Sequence, residues 1–252
     1  MISLKSKNWQ IDNIDTILFD KDGTFIDLHY FWGKMTELRV DRIIKKYQLD
    51  NSCFSHLCLC LGYDISTSKM LKDGITALYS RNKIIEIFKG DLRGIGLIIS
   101  TEEMEKIFDK VSFEFYQNMH NYTKPIDSAV SFIKKIKKMN IKTGVVTSDS
   151  VESTNLTLKH FNWENLFDVV LGRESTKENK ESGAPARLAL EKLNSNPQNT
   201  LIVGDAPMDY ICAKNAQIEK VLLVSTGQID VKELSLTSEF VINSLDMVEI
   251  IK

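Results

Sequence analysis

Several things are missing from this chain of 252 residues, and each absence removes a class of function. No stretch is long and apolar enough to span a bilayer. Met1-Ile2-Ser3-Leu4-Lys5-Ser6-Lys7 holds no apolar run followed by a cleavage site, so it does not read as a secretory signal, and the expected compartment is the cytoplasm. The charge balance is close to even, with a net charge of −2, which gives no polyanion-binding signature and no expectation of a nucleic-acid partner. Cysteine is scarce. Cys53, Cys58 and Cys60 lie near His56, and Cys212 stands apart, but no Cys-x-x-Cys pair is present, so reduced thiols are expected rather than a zinc site. His29, His56, His120 and His160 show no catalytic spacing, although His29 and Tyr30 follow closely on the stretch discussed next. There is no internal repeat and no low-complexity tract. Gly90-Asp91-Leu92-Arg93-Gly94-Ile95-Gly96 follows no strand, so it is read as a glycine-punctuated connection between helices and not as a dinucleotide fingerprint.

What is present is organised around Thr16-Ile17-Leu18-Phe19-Asp20-Lys21-Asp22-Gly23-Thr24. A short β-branched and apolar run predicts a buried strand. It ends in two aspartates two positions apart, then a glycine that lets the chain turn sharply. Carboxylates at the carboxyl end of a buried strand sit where open α/β sheets place their ligands. Such a compact acidic site attracts a hard, oxygen-liganded cation such as Mg²⁺.

Beyond Leu28 the character changes. From about His29 to Asn121 apolar residues recur at helical spacing, as in Ile84, Ile87 and Phe88 and in Met104, Ile107, Phe108, Val111 and Phe115. Ser80 and Ser100 or Thr101 are candidate helix N-caps. From Lys124-Pro125 onward, strands alternate with helices. Strands are expected at 141–147, 167–171, 200–203, 221–224 and 240–242, with a final helix through Met247 and Ile250. This alternation predicts an α/β fold with a doubly wound parallel sheet. The helical segment interrupts it, so the expected organisation is a core of 1–27 plus 122–252 with a mostly helical domain, 28–121, inserted.

Asp20-Lys21-Asp22-Gly23-Thr24 resembles the first motif of the haloacid dehalogenase (HAD) superfamily, and the layout resembles its phosphoglycolate phosphatase-like members, with a helical cap inserted between the first and second motifs. Gly204-Asp205-Ala206-Pro207-Met208-Asp209 resembles the fourth motif, Gly-Asp-x-x-x-Asp. The resemblance implies an aspartyl-phosphate chemistry. Asp20 would be the nucleophile and Asp22 the acid–base group, whose backbone carbonyl also reaches the metal. An acid at Asp22 favours a phosphatase or phosphomutase over a P-type ATPase or a dehalogenase. Thr147, ending the strand Ile141–Val146, matches the second motif and would bond a phosphoryl oxygen, helped by the Ser148 amide, with Gly23 and Thr24 of the first motif as further phosphate-binding candidates. Lys180 matches the third motif, with Lys177 as its competitor, because the usual Lys-Pro-x-Pro is replaced by Lys180-Glu181-Ser182-Gly183-Ala184-Pro185. Asp20, Asp22, Asp205 and Asp209 would form the Mg²⁺ site, Asp209 through water or a more distant contact. In the inserted domain, Arg81 and Lys72 are candidates to meet an anionic substrate.

The expected function is a Mg²⁺-dependent phosphatase acting on a small phosphorylated metabolite. Two rivals stay open: a phosphomutase of the same superfamily, and a receiver-type module that is phosphorylated on an aspartate without turnover. The sequence names neither the substrate nor an oligomeric state.

Overall fold

A computed structural model describes the backbone of residues 1–252 and every side chain but that of His120, so the remark on that histidine lies outside the described side chains. Chain contacts divide it into two units, Met1–Asp27 with Pro125–Lys252, and Leu28–Lys124.

The first unit opens with β1 (Ile2–Lys5), β2 (Gln10–Ile14) and β3 (Thr16–Phe19). The chain then leaves for the helical unit. That unit holds α1 (Leu28–Tyr47), α2 (Cys53–Cys60), a small hairpin of β4 (Tyr63–Asp64) and β5 (Lys69–Met70), and α3 (Ile75–Leu78). It ends with α4 (Arg81–Gly94), α5 (Thr101–Gln117) and α6 (Met119–Tyr122). Its core holds Ile84 and Phe88 of α4 and Met104 and Phe108 of α5, from the stripes that the helical spacing predicts, buried together with Val40 and Ile43 of α1. Ser100 caps α5 by accepting from the Glu103 amide at 3.1 Å. Ser80 precedes α4 without a side-chain cap bond.

On its return the chain forms α7 (Asp127–Lys138), β6 (Lys142–Val146), α8 (Val151–His160), β7 (Val169–Leu171) and α9 (Ala184–Leu193). It continues through β8 (Thr200–Gly204), α10 (Pro207–Asn215), β9 (Lys220–Val224), α11 (Val231–Leu234), β10 (Val241–Ile242) and β11 (Glu249–Ile251). Six strands make a parallel sheet in the order β10-β9-β8-β3-β6-β7. The fold is therefore the doubly wound α/β architecture that the alternation predicts. β3 lies at its middle, with Phe19 level with Val145 of β6 and Val203 of β8. Ile17, Leu18 and Phe19 have no exposed surface, as expected of a parallel strand covered on both faces.

Two local expectations are overturned. The tail does not end in a helix through Met247 and Ile250. Leu245–Met247 is a single 3₁₀ turn, and Glu249–Ile251 pairs antiparallel with β1 in a second sheet, β11-β1-β2. The β-branched Val248, Ile250 and Ile251 favour extension, and the edge of β1 supplies the partner. The Gly90–Gly96 stretch is not all connection, because α4 runs through Gly90 to Gly94. Its buried stripe, Ile84, Ile85, Phe88 and Leu92, continues across Gly90, and tertiary packing outweighs the low helix propensity of glycine.

Candidate active site

Three adjacent strands of the parallel sheet end side by side and carry the polar cluster. Asp20 follows β3, Thr147 follows β6 and Asp205 follows β8. All three are buried. The register places them there: Phe19, Val145 and Val203 lie level, and Asp20, Thr147 and Asp205 follow within two residues of them.

Lys180 reaches this cluster from a 3₁₀ turn, Lys180–Ser182, set up by Asn179, whose side chain accepts from the Ser182 amide, and closed by Gly183 at φ 75°. The Lys180 Nζ donates to Asp20 Oδ1 at 2.6 Å and is paired with Asp209 Oδ1 at 2.6 Å. The other Asp209 oxygen, Oδ2, accepts from the backbone amides of Asp205 and Ala206, each at 3.1 Å. Both oxygens of Asp209 are thus committed, one to the lysine and one to the loop that carries Asp205. The carboxylate oxygens of Asp20, Asp205 and Asp209 come within 4.8 Å of one another.

The backbone closes tightly around Asp205. A Cβ on Gly23, which has φ +88°, would lie 2.3 Å from Asp205 Oδ2, and one on Gly227 would lie 1.7 Å from the same oxygen. Thr226 Oγ1 donates to the Gly23 carbonyl at 2.5 Å and ties the two glycine loops together.

The electrostatics follow from three buried carboxylates sharing one ammonium. Burial pushes the Asp20 carboxyl up to about 7; Lys180 pulls against that rise and the charges of Asp209 and Asp22 add to it. Burial raises Asp205 well above the usual carboxylate range, with the Asp20 and Asp209 charges adding to the rise. Burial alone would depress Lys180, but the carboxylates of Asp20 and Asp209 overcome it and keep its ammonium charged. The cluster carries more negative than positive charge in a dry setting, and its donors are all oxygen, which is the chemistry that suits a hard divalent cation.

Asp22 is placed differently from Asp20. Its Oδ1 pairs with Lys21 Nζ at 2.9 Å, and the same ammonium pairs with Asp149 Oδ2 at 2.7 Å. The Asp22 carboxylate is therefore not part of the three-carboxylate group; it is the Asp22 backbone carbonyl that the resemblance assigns to the metal. Thr147 Oγ1 accepts from the Asp149 amide at 3.1 Å. Ser148 is exposed, its Oγ 3.7 Å from Met208 Sδ. Thr24 is fully buried beneath the turn, its hydroxyl without a hydrogen-bond partner, so its side chain is not offered to a ligand. Arg81 belongs to the helical unit, where its guanidinium pairs with Asp109 at 2.6 Å and donates to the Glu105 carbonyl at 3.2 Å. Lys180, not Lys177, meets Asp20.

Sequence reasoning missed Lys21, Asp149, Thr226 and Gly227. Lys21 stood in view between two aspartates, and a charged residue directly after a buried strand was a usable signal. Gly227, three residues beyond β9, gave no signal, because its role appears only when that strand lies beside β8.

A family model described as haloacid dehalogenase-like hydrolase matches residues 60–223. A protein of Aquifex aeolicus named phosphoglycolate phosphatase is 27% identical over 206 residues, covering 82% of this chain and 83% of its own. One of Bacillus mycoides named pyrophosphatase PpaX is 23% identical over 208 residues, covering 82% of each. A crystal structure from Haemophilus somnus, titled a predicted phosphoglycolate phosphatase, superposes with a TM-score of 0.71 at 17% identity, covering 94% of this chain and 96% of its own. With its parallel sheet, its acidic strand ends and a family match over most of its length, the chain belongs to the haloacid dehalogenase-like hydrolases.

Proposed function

We propose that this hydrolase is a Mg²⁺-dependent phosphatase that cleaves a small phosphomonoester through an aspartyl-phosphate on Asp20. The observation that carries the reading is the contact of Lys180 with both Asp20 and Asp209, beside a buried Asp205. A carboxylate repels a phosphate dianion unless cations stand between or beside them. Lys180 supplies one such charge at 2.6 Å from the attacking group. The surplus of buried carboxylate fits a hard cation held by Asp20 and Asp205, with the Asp22 carbonyl as a further oxygen. Asp209, whose oxygens are taken by Lys180 and two amides, acts by fixing that lysine and the Asp205 loop. Bound Mg²⁺ would supply charge neutralisation to the transferring phosphoryl group.

The protein's own groups do the rest. Asp20 attacks phosphorus while the bond to the leaving oxygen breaks, and the Asp22 carboxyl gives that oxygen its proton. Asp22, now a carboxylate, takes a proton from water as the water oxygen attacks the acyl phosphate. The bond from phosphorus to Asp20 then breaks, leaving phosphate and a free carboxylate. Thr147 Oγ and the Ser148 amide hold phosphoryl oxygens. The helical unit serves as the cap that selects substrates, and the free thiols of all four cysteines suit the cytoplasm.

Phosphate release from a panel of sugar phosphates, phosphoglycolate, pyrophosphate, nucleotides and an aryl phosphate tests this, with Mg²⁺ and with a chelator. Phosphoglycolate and pyrophosphate belong in the panel because relatives are named for them. Metal-dependent release is expected, lost in Asp20→Asn with the fold intact. Lys180→Ala should lose on the order of a hundredfold or more in kcat, and Lys177→Ala little. Conversion of sugar phosphates without phosphate release would move the reading to a phosphomutase. Near-full activity in Asp20→Asn would refute the nucleophile.

A further inference from the structure

Lys21 is the one lysine in the chain placed between the two aspartates of the first motif, and its side chain has no exposed surface. Burying an ammonium is expensive unless it is paired on several sides. Here the partners are Asp149 Oδ2 at 2.7 Å and Asp22 Oδ1 at 2.9 Å. Asp149 is itself tied down. Its Oδ1 accepts from the Ser150 amide at 2.7 Å, its own amide donates to Thr147 Oγ1 at 3.1 Å, and its carbonyl accepts from the Arg173 amide at 2.9 Å. The Lys21 carbonyl accepts from the amides of Phe25 and Ile26, each at 3.1 Å, so the residue anchors the turn at both its ends.

These contacts join two loops that belong to different strands. One carries Asp22 and follows β3; the other carries Thr147 and follows β6. Asp149 offsets the charge of Lys21, so the pair adds no net charge beside Asp22. What it adds is a fixed position for the Asp22 carboxylate relative to the Thr147 hydroxyl.

We propose that Lys21 is a positioning residue: held by Asp149, its ammonium fixes the Asp22 side chain through Oδ1 in register with the Thr147 loop, so that the protonated Asp22 carboxyl delivers its proton to the leaving oxygen of the phosphoryl group that Thr147 holds. This rests on the roles of Asp20 and Asp22 given above. A lysine that only braced the fold would slow every substrate alike. A lysine that aims the acid matters most where the leaving oxygen needs a proton, that is, for alkoxides, and least for stabilised phenoxides.

The test is a leaving-group series running from p-nitrophenyl phosphate through phenyl phosphate to an alkyl phosphate such as glycerol phosphate. It compares the wild-type protein with the double variant Lys21→Met, Asp149→Asn. The double change removes the lysine without stranding a buried carboxylate, and asparagine keeps an acceptor for the Ser150 amide. The ratio of p-nitrophenyl to alkyl phosphate turnover should rise on the order of tenfold to a hundredfold, with the loss in kcat rather than KM and the far-UV circular dichroism unchanged. A uniform loss across the series, or no loss, overturns the positioning role. If the double variant does not fold, Asp149→Asn alone gives the same comparison, with a smaller rise in the same direction expected and a flat ratio counting against the role. A wild-type protein inert toward every phosphomonoester overturns the phosphatase reading and this inference with it, whereas an active wild type with an unchanged ratio overturns this inference only.

Discussion

Gly227 and Gly23 leave Asp205 just enough room, and that space sets a sharp expectation for single residues. An added Cβ at Gly227 would fall 1.7 Å from Asp205 Oδ2 and 2.6 Å from its Cγ. The short side chain has nowhere to swing without leaving the cluster. Gly227→Ala should therefore weaken apparent Mg²⁺ affinity by about ten- to a hundredfold, read from the metal dependence of activity or of the melting temperature. Unchanged affinity would show that Asp205 is not a ligand. The buried carboxylates also give the fold a pH dependence of definite sign. Asp20 ordinarily titrates near 3.8, and here burial pushes it up to about 7. Between those values the folded protein binds more protons than the unfolded chain, so stability falls as pH rises through that window and stays lower above it. In a chelator the melting temperature should be higher at pH 5 than at pH 8, and Asp20→Asn should flatten the difference. Added Mg²⁺ should raise it more at pH 8. A wild-type melting temperature that climbs from pH 5 to pH 8 without metal, no less steeply than in Asp20→Asn, would contradict the placement of Asp20. The residues of this cluster were legible in the sequence where they follow a strand at motif spacing, as Asp20, Thr147 and Asp205 do. Their couplings were not, because Lys21 and Asp149 are 128 residues apart, and Lys180 and Asp20 are 160 apart.

Among the elements, pattern predicted best where one face is buried and repeated. The three strands that hold the cluster, and the stripes of α4 and α5, all declare themselves by period. The failures share a cause: local signals lost to tertiary partners. Glu249–Ile251 could serve a short helix or a strand, and the free edge of β1 decides for the strand. Glycine in Gly90 and Gly94 argued for a loop, yet the apolar face of α4 is packed and continuous. Gly90 is then a helix position occupied by a poor helix former. A Cβ there meets nothing within 4 Å, and the residue is exposed. Gly90→Ala should stabilise the protein by about 0.5–1 kcal/mol by narrowing the unfolded ensemble and raising helix propensity. Denaturant unfolding with an unchanged m-value would measure it. A loss of stability would mean that α4 needs the flexibility it has at that position.

At the scale of the whole molecule, the first unit carries every residue of the proposed cluster, and its two sequence segments meet at a defined place. The Ile126 amide donates to the Phe25 carbonyl at 2.9 Å, and Ile26 and Pro125 form an isolated antiparallel bridge. Ile26 is fully buried, and the Phe25 ring packs 5.3 Å from that of Phe167 and 6.4 Å from that of Trp163. The two chain ends that flank 28–124 are thus held together by contacts of the first unit alone. Removing 28–124 and joining Asp27 to Pro125 by a short Gly-Ser linker should leave a folded α/β protein, since a short loop at already adjacent ends adds little closure entropy. Such a protein should unfold cooperatively, with a Mg²⁺-dependent rise in melting temperature, because Asp20, Asp205, Asp209 and Lys180 all remain. Its discrimination among phosphomonoesters should narrow toward equal rates if the helical unit selects the substrate. A broad, non-cooperative melt would instead show that the first unit depends on the helical unit for its stability, and that the discontinuous core is not a folding unit by itself.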